Sequence, residues 1–342
     1  MTKKNKVYLF VFLLIGVSIA SFTLGRYLYS SPLNSTINST KILSKEGSEL
    51  INPMHEYWEQ RNLAHVEFDN FKPEIEKLIN SQKAKNSGIG ISYYYRDLNT
   101  GLWFGINENE RYSPASLFKL PILITFFKRA EKEPDIFTTG LTYNQKEIFE
   151  VEEESGFPKE KGKFYTLDEL LTHMICYSDN AASLVLMNFL GDSAILEVMR
   201  ELNFQIEGDY TQNSNFVTVK NYSSILRVLY NSTFLSPKMS EKALELLSQS
   251  KYEKGLRAAV PSEIKMAHKY GNRIDKKGIS DKAQLHHFAI VYCEGRPYII
   301  GVMTKGGSID ARELIIKQLG ELTYKEVIGQ NRNSPSTHVF KE

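Results

Sequence analysis

Cysteine is nearly absent: Cys176 and Cys293 are the only two in 342 residues. So few exclude a disulfide framework, and their wide separation excludes a C-x-x-C metal or redox pair. Two free thiols in a packed core and a single bridge both stay open, because sequence cannot show whether two side chains meet. Metal-binding patterns are missing too. No H-E-x-x-H and no Cys/His spacing suited to zinc occurs. The only adjacent histidines, His286 and His287, fall in a run that reads as a strand, where neighbours point to opposite faces. Neither a metal nor a cofactor is expected. Charge of one sign is also lacking: 42 Lys and Arg against 40 Asp and Glu leave a formal net charge of +2. With no basic stripe and no recognition motif, nucleic acid is not an expected partner. No internal repeat is present.

What is there suits a folded body with a distinct N-terminus. Hydrophobic residues at 42% and charged residues at 24% are ordinary for a globular protein, so general disorder is not expected. The length exceeds that of a typical single domain, yet one large two-lobed domain fits it. Lys3, Lys4 and Lys6 precede an uncharged stretch from Val7 to Leu24, about 18 residues and near the lower limit for crossing a bilayer. The lysine excess predicts that the N-terminus stays inside and the rest is exported. A signal peptide cleaved near Ala20, with Ser18 and Ala20 as the small residues, competes with an uncleaved anchor. Apolar residues continuing through Phe22 and Leu24 favour the anchor. In either case the body works outside the cytoplasm. The expected plan is an anchor or signal over 1–29, a Ser/Asn/Thr/Lys-rich linker over 30–70, a folded domain over 71–325 and a tail over 326–342.

Periodicity places the elements coarsely. Ile75, Leu78 and Ile79 predict an amphipathic helix from Phe71 to Lys83. Gly88 to Arg96 and Gly101 to Gly105 are β-rich runs that read as a hairpin turning at Asp97 to Thr100. A helix is predicted to start near Ser116. Beyond Pro134 the pattern becomes irregular and acidic, with Glu150, Glu152, Glu153 and Glu154 in what reads as a solvated loop. Thr166 and Glu169 form a capping box ahead of a helix over Leu167 to Tyr177. Further helices are predicted over Asn180 to Asn188, Ala194 to Leu202, Tyr222 to Leu229 and Lys238 to Leu247. His286 to Tyr292 and Pro297 to Thr304 read as paired strands, and Ile309 to Leu322 as a closing helix. Strands at both ends with helices between them predict an α+β domain: one mixed sheet holding an inserted helical lobe over about 112–250.

Three short motifs follow one another: Ser116-Leu117-Phe118-Lys119, Ser178-Asp179-Asn180 and Lys269-Tyr270-Gly271. The first alone is weak, since Ser262-Glu263-Ile264-Lys265 has the same form and is assigned no role. A serine hydroxyl needs a base to become a nucleophile, and a lysine three residues on along a helix lies on the same face. Burial beside other cations favours the neutral amine that such a base requires. A helix N-terminus would direct N–H groups at a developing oxyanion. Against this stands an N-cap serine with a solvated lysine. Ser178 could relay a proton to a leaving group and Asn180 could hold a substrate amide, or the stretch could be a helix-capping turn. Lys269 offers a positive charge to a carboxylate, and Gly271 lets an edge strand approach a ligand closely.

These motifs, with the stretches HMICYSDNAASLVL, AVPSEIKMAHKYG and LHHFAIVYCEGRPYIIGVMTKG, resemble the class A β-lactamase-like serine hydrolases and their penicillin-binding relatives. The resemblance runs from about Phe71 to Thr323. It implies a five-stranded antiparallel sheet flanked by helices, plus an all-α lobe, with the active site at their junction. It further implies Ser116 as the acylated nucleophile, Lys119 as base and Ser178 as proton relay. Asn180, Lys269, Tyr270, Gly271 and Asn272 are then substrate contacts, and the backbone N–H groups of Ser116 and Asn272 form the oxyanion hole. The implied partner is a β-lactam or a peptidoglycan peptide, handled by a monomer.

Two departures qualify the likeness. Tyr270 stands where the family has Thr or Ser. The family's acidic E-x-x-L-N loop, which activates water for deacylation, has no counterpart in Asn203 to Tyr210, where Glu207 and Asp209 are the only acids and read as surface charges. Three activities remain open: a β-lactamase, a D-alanyl-D-alanine carboxypeptidase-type enzyme, and a non-hydrolytic wall-binding module.

Overall fold

Local chemistry sets each element before packing fixes it. Asp97 makes the first hairpin turn by accepting hydrogen bonds from the backbone N–H groups of Asn99 and Thr100 at 2.9 and 2.8 Å. Its other carboxylate oxygen takes Arg296 at 2.9 Å. The capping box is formed as the sequence predicts: Thr166 accepts from the Glu169 N–H, and the Glu169 carboxylate reaches back to the Thr166 N–H. The computed structural model describes residues 50, 68, 70–142, 162–204, 215–274 and 282–333. The expected anchor, most of the linker, the acidic run Glu150 to Glu154, Glu207, Asp209 and the last residues of the tail lie outside them.

In chain order the helices are α1 (Phe71–Lys85), α2 (Lys119–Ala130), α3 (Leu167–Cys176), α4 (Asn180–Leu190), α5 (Asp192–Glu201), α6 (Val219–Tyr230), α7 (Pro237–Ser248) and α8 (Ile309–Asn333). The strands are β1 (Gly90–Asp97), β2 (Trp103–Ile106), β3 (Gly140–Thr142), β4 (Phe164–Thr166), β5 (Met266–Arg273), β6 (Gln284–Val291) and β7 (Tyr298–Lys305). β1, β2, β5, β6 and β7 form the five-stranded antiparallel sheet that the resemblance implies, in the order β2-β1-β7-β6-β5, and not the mixed sheet read from the strand pattern, because every neighbouring pair runs antiparallel. β3 and β4 make a separate small hairpin where only loop was predicted.

The central strands are covered on both faces, which explains runs such as Gly90–Asp97 that bury nearly every residue rather than alternating. One face packs α1 and α8 around Phe71, Ile75, Tyr93, Ile315 and Leu319. The other packs the helical lobe around Leu117, Phe126, Leu171, Tyr222 and Phe288. Each such side chain contributes about 1.5–3 kcal/mol on burial. The closing helix runs to Asn333, well beyond Leu322 and past the expected tail boundary at 326, because buried Val327 prolongs its apolar stripe.

Two residues of the predicted linker belong to the folded body: Phe68 packs its ring against Phe71, Tyr95 and Phe104, and Leu50 lies in the core on the other side of the sheet. Leu50 is fully buried, its N–H bonded to the Glu241 carboxylate at 3.0 Å and its carbonyl to the Tyr292 hydroxyl at 3.0 Å. Among the described residues no single helix is long and apolar enough to cross a membrane.

Candidate active site

The first motif sits where the lobe meets the sheet. Ala115 turns the chain with φ of 48°, and Ala115–Phe118 follows as a 3₁₀ turn, so the α-helix begins at Lys119 and not near Ser116 as the sequence predicts. The tighter winding still serves the chemistry, since residues three apart eclipse one another in a 3₁₀ turn and Ser116 and Lys119 share a side. Leu117 and Phe118 point into the core while Ser116 stays partly exposed. Side chains distant in sequence clamp this turn. Ser113 donates its N–H to Gln284 Oε1 at 2.9 Å and accepts from His286 Nε2 at 2.9 Å, and the Tyr222 hydroxyl donates to the Leu117 carbonyl at 3.0 Å. Burial pushes His286 down to about 3, so the imidazole is neutral and serves as a fixed donor.

Between α3 and α4, Ser178 adopts φ of 60°, an uncommon conformation for a residue with a side chain. Lys119 secures it. Buried Lys119 Nζ donates to the Ser178 carbonyl, to Ser178 Oγ at 3.2 Å and to Asn180 Oδ1 at 2.8 Å. Asp179, rather than Ser178, caps the following helix, accepting from the Ala182 N–H at 2.9 Å. The capping and catalytic readings of this motif therefore fall on different residues.

The third motif lies on β5, the sheet edge facing the lobe. Lys269 is 1% exposed and donates to Ser178 Oγ at 2.8 Å and to the Tyr270 carbonyl at 3.2 Å. Two lysine side chains from distant parts of the chain thus converge on one hydroxyl. Gly271 allows a close approach inside the protein as well. A Cβ there would stand 2.9 Å from the Pro114 carbonyl oxygen and 3.1 Å from the Leu117 nitrogen, so the missing side chain lets β5 abut the turn that carries Ser116. Asn272 Oδ1 is buried and makes no hydrogen bond.

Tyr270 is half-buried and does not stand alone. Its ring stacks on Tyr252 with centroids 3.8 Å apart and planes 12° apart, and Lys269 Nζ lies 4.7 Å from its centroid. Where the family resemblance implies a small hydroxyl beside the lysine, this chain carries an aromatic pair. Tyr252, Gln284, His286 and Tyr222 were not singled out by sequence. Only the His-His pair gave a hint, as a weak metal candidate.

The two histidines diverge as strand geometry requires: His286 meets Ser113, while His287 accepts from the Leu256 N–H at 3.0 Å and pairs with His268 at 2.9 Å. Cys176 and Cys293 are both free and sit in different core clusters, which rules out a bridge. The decoy residues Ser262 and Lys265 are exposed.

Comparison with known proteins bears on the family and the fold. A family model described as the β-lactamase enzyme family matches residues 70–327. A β-lactamase of Streptomyces lavendulae is 26% identical over 126 residues, which is 35% of this chain and only 39% of that protein. Among solved structures, PBP-A superposes with a TM-score of 0.66 at 19% identity, covering 76% of this chain and 97% of its own. A β-lactamase from Chitinophaga pinensis gives 0.66 at 19% identity over 74% and 99%. An ancestral class A β-lactamase gives 0.64 at 22% identity over 73% and 99%. At such identities the structural likeness speaks for the fold.

Proposed function

Because this chain belongs to the β-lactamase enzyme family, we propose that it is a serine acyl-transfer hydrolase that reacts with β-lactams through Ser116 and releases the product slowly. The supporting observation is the convergence of Lys119, Lys269 and Asn180 around Ser178, against the turn that carries Ser116. In this reading Ser116 Oγ attacks the lactam carbonyl and its proton passes to Lys119 as the neutral amine. The carbonyl oxygen takes the negative charge and is met by the N–H groups of Ser116 and Asn272. As the C–N bond breaks, the leaving nitrogen receives a proton through Ser178 Oγ, which Lys269 holds in place. The second half-reaction needs a base for water, and the absence of an E-x-x-L-N motif supports slow deacylation. A peptidoglycan-directed carboxypeptidase would use the same acylation step.

Labelling tests the nucleophile. A fluorescent penicillin should label the wild-type protein covalently, and Ser116→Ala should lose the label while keeping its melting temperature. Label retained on a folded Ser116→Ala protein would refute the assignment.

A further inference from the structure

The third motif departs from the family pattern at Tyr270, and the surroundings of that ring bear on what the site accepts. Strand geometry sends Lys269 and Tyr270 to opposite faces of β5. Lys269 reaches Ser178 in the lobe, whereas Tyr270 packs on the core cluster of the other face. There it lies flat on Tyr252, with centroids 3.8 Å apart, and Tyr252 in turn meets His287 edge-on at 5.3 Å and 70°. His287 is itself fixed. Its Nδ1 accepts from the Leu256 N–H at 3.0 Å, so its Nε2 carries the proton and donates to His268 Nδ1 at 2.9 Å. Burial keeps both imidazoles neutral, pushing His268 down to about 3 and His287 well below its ordinary value. Gly255, with φ of 58°, brings the segment that carries Tyr252 against β6, since a Cβ there would stand 2.8 Å from His287 Nδ1. The tyrosine stack is thus held from below by the fold.

This arrangement leaves little of Lys269 for a substrate. A lysine Nζ offers at most three N–H groups. Ser178 Oγ accepts from it at 2.8 Å and the Tyr270 carbonyl at 3.2 Å, the Tyr270 ring centroid lies 4.7 Å away, and the residue is 1% exposed. A carboxylate arriving beside it would have to displace one of these contacts. Nor does the next position supply a short hydroxyl, because a ring held against Tyr252 stands there. A carboxylate that loses water without gaining donors is strongly disfavoured, whereas an uncharged amide or ester loses far less.

Given the acyl-transfer reading of Ser116, on which this rests, we infer that the Tyr252–Tyr270 stack is a specificity determinant. It confines Lys269 to positioning Ser178, and it selects acyl donors whose leaving side is uncharged, such as a peptide that continues as an amide, over donors that end in a carboxylate.

Benzylpenicillin and its methyl ester differ only at that group. Acylation of the full chain by each, followed by intact mass over time, gives the ratio of the two rate constants. The wild type should be acylated at least as fast by the ester as by the free acid. Tyr270→Thr and Tyr252→Ala should each shift the ratio several-fold towards the free acid, and Tyr270→Phe, which keeps the stack, should retain the wild-type ratio. A general loss of folded protein slows both reactions alike, so a merely structural role would not move the ratio. Faster acylation by the free acid in the wild type would overturn the proposal while leaving Ser116 as the nucleophile. Selective loss of reactivity towards the free acid in Tyr270→Phe would overturn it too, since the phenol would then be the carboxylate's donor. Acylation by neither compound would overturn the acyl-transfer reading itself, and the proposal with it.

Discussion

On one side of Ser178, Lys119 and Asn180 come from helices of the lobe and reach each other through direct hydrogen bonds. On the other side, Lys269 comes from a sheet edge and is flanked by a stacked pair of tyrosines. The first side is built from short polar motifs whose members hold one another, Lys119 fixing the unusual backbone of Ser178. The second is shaped by an aromatic contact between residues 18 positions apart, and there the chain departs from the family pattern. Under the proposed function, acylation chemistry and substrate recognition fall to separable parts of the site, and substitution should perturb one without the other.

The largest effect should come from the helical side. Lys119→Ala removes the proposed base together with the donor to Ser178 and Asn180, and should slow acylation by a fluorescent penicillin about 10²–10⁴-fold. A variant acylated at the wild-type rate would show that another group takes the Ser116 proton. Gly271→Ala joins the two sides, since the new methyl group would press the Pro114 carbonyl and the Leu117 nitrogen. It should cost about 1–3 kcal/mol in denaturant unfolding and also slow acylation. Unchanged stability would mean that the turn yields without consequence. The smallest effect is expected on the strand side, where Tyr270→Thr should speed capture of carboxylate-bearing penicillins several-fold without altering the reactivity of Ser116 towards an uncharged acyl donor. Equal change towards both would contradict the separation of the two parts.

Sequence made the helical side legible because its chemistry is local. Ser116 and Lys119 lie three residues apart, Ser178 and Asn180 two, and Thr166 with Glu169 marks the helix that leads to them. The five antiparallel strands also followed from the family likeness. What sequence could not show depends on contacts formed only in three dimensions. Tyr252 is an ordinary aromatic until it meets Tyr270, and Gln284, His286 and Tyr222 hold the turn that carries Ser116 from more than 100 residues away in sequence. The 3₁₀ winding at Ser116 was missed because a positive φ at alanine leaves no mark in the pattern. Gly271 was recognised as a close-approach position, and the turn that carries Ser116 is a neighbour in that approach that the sequence did not show.

The most direct test of the account is intact-protein mass measured over time after mixing with a penicillin, alongside the release of hydrolysed product. A stoichiometric burst, an adduct of one penicillin on Ser116 and slow return of the unmodified mass are the expected results. Rapid multiple turnover with no detectable adduct would contradict the account and show that the chain possesses an efficient base for deacylation.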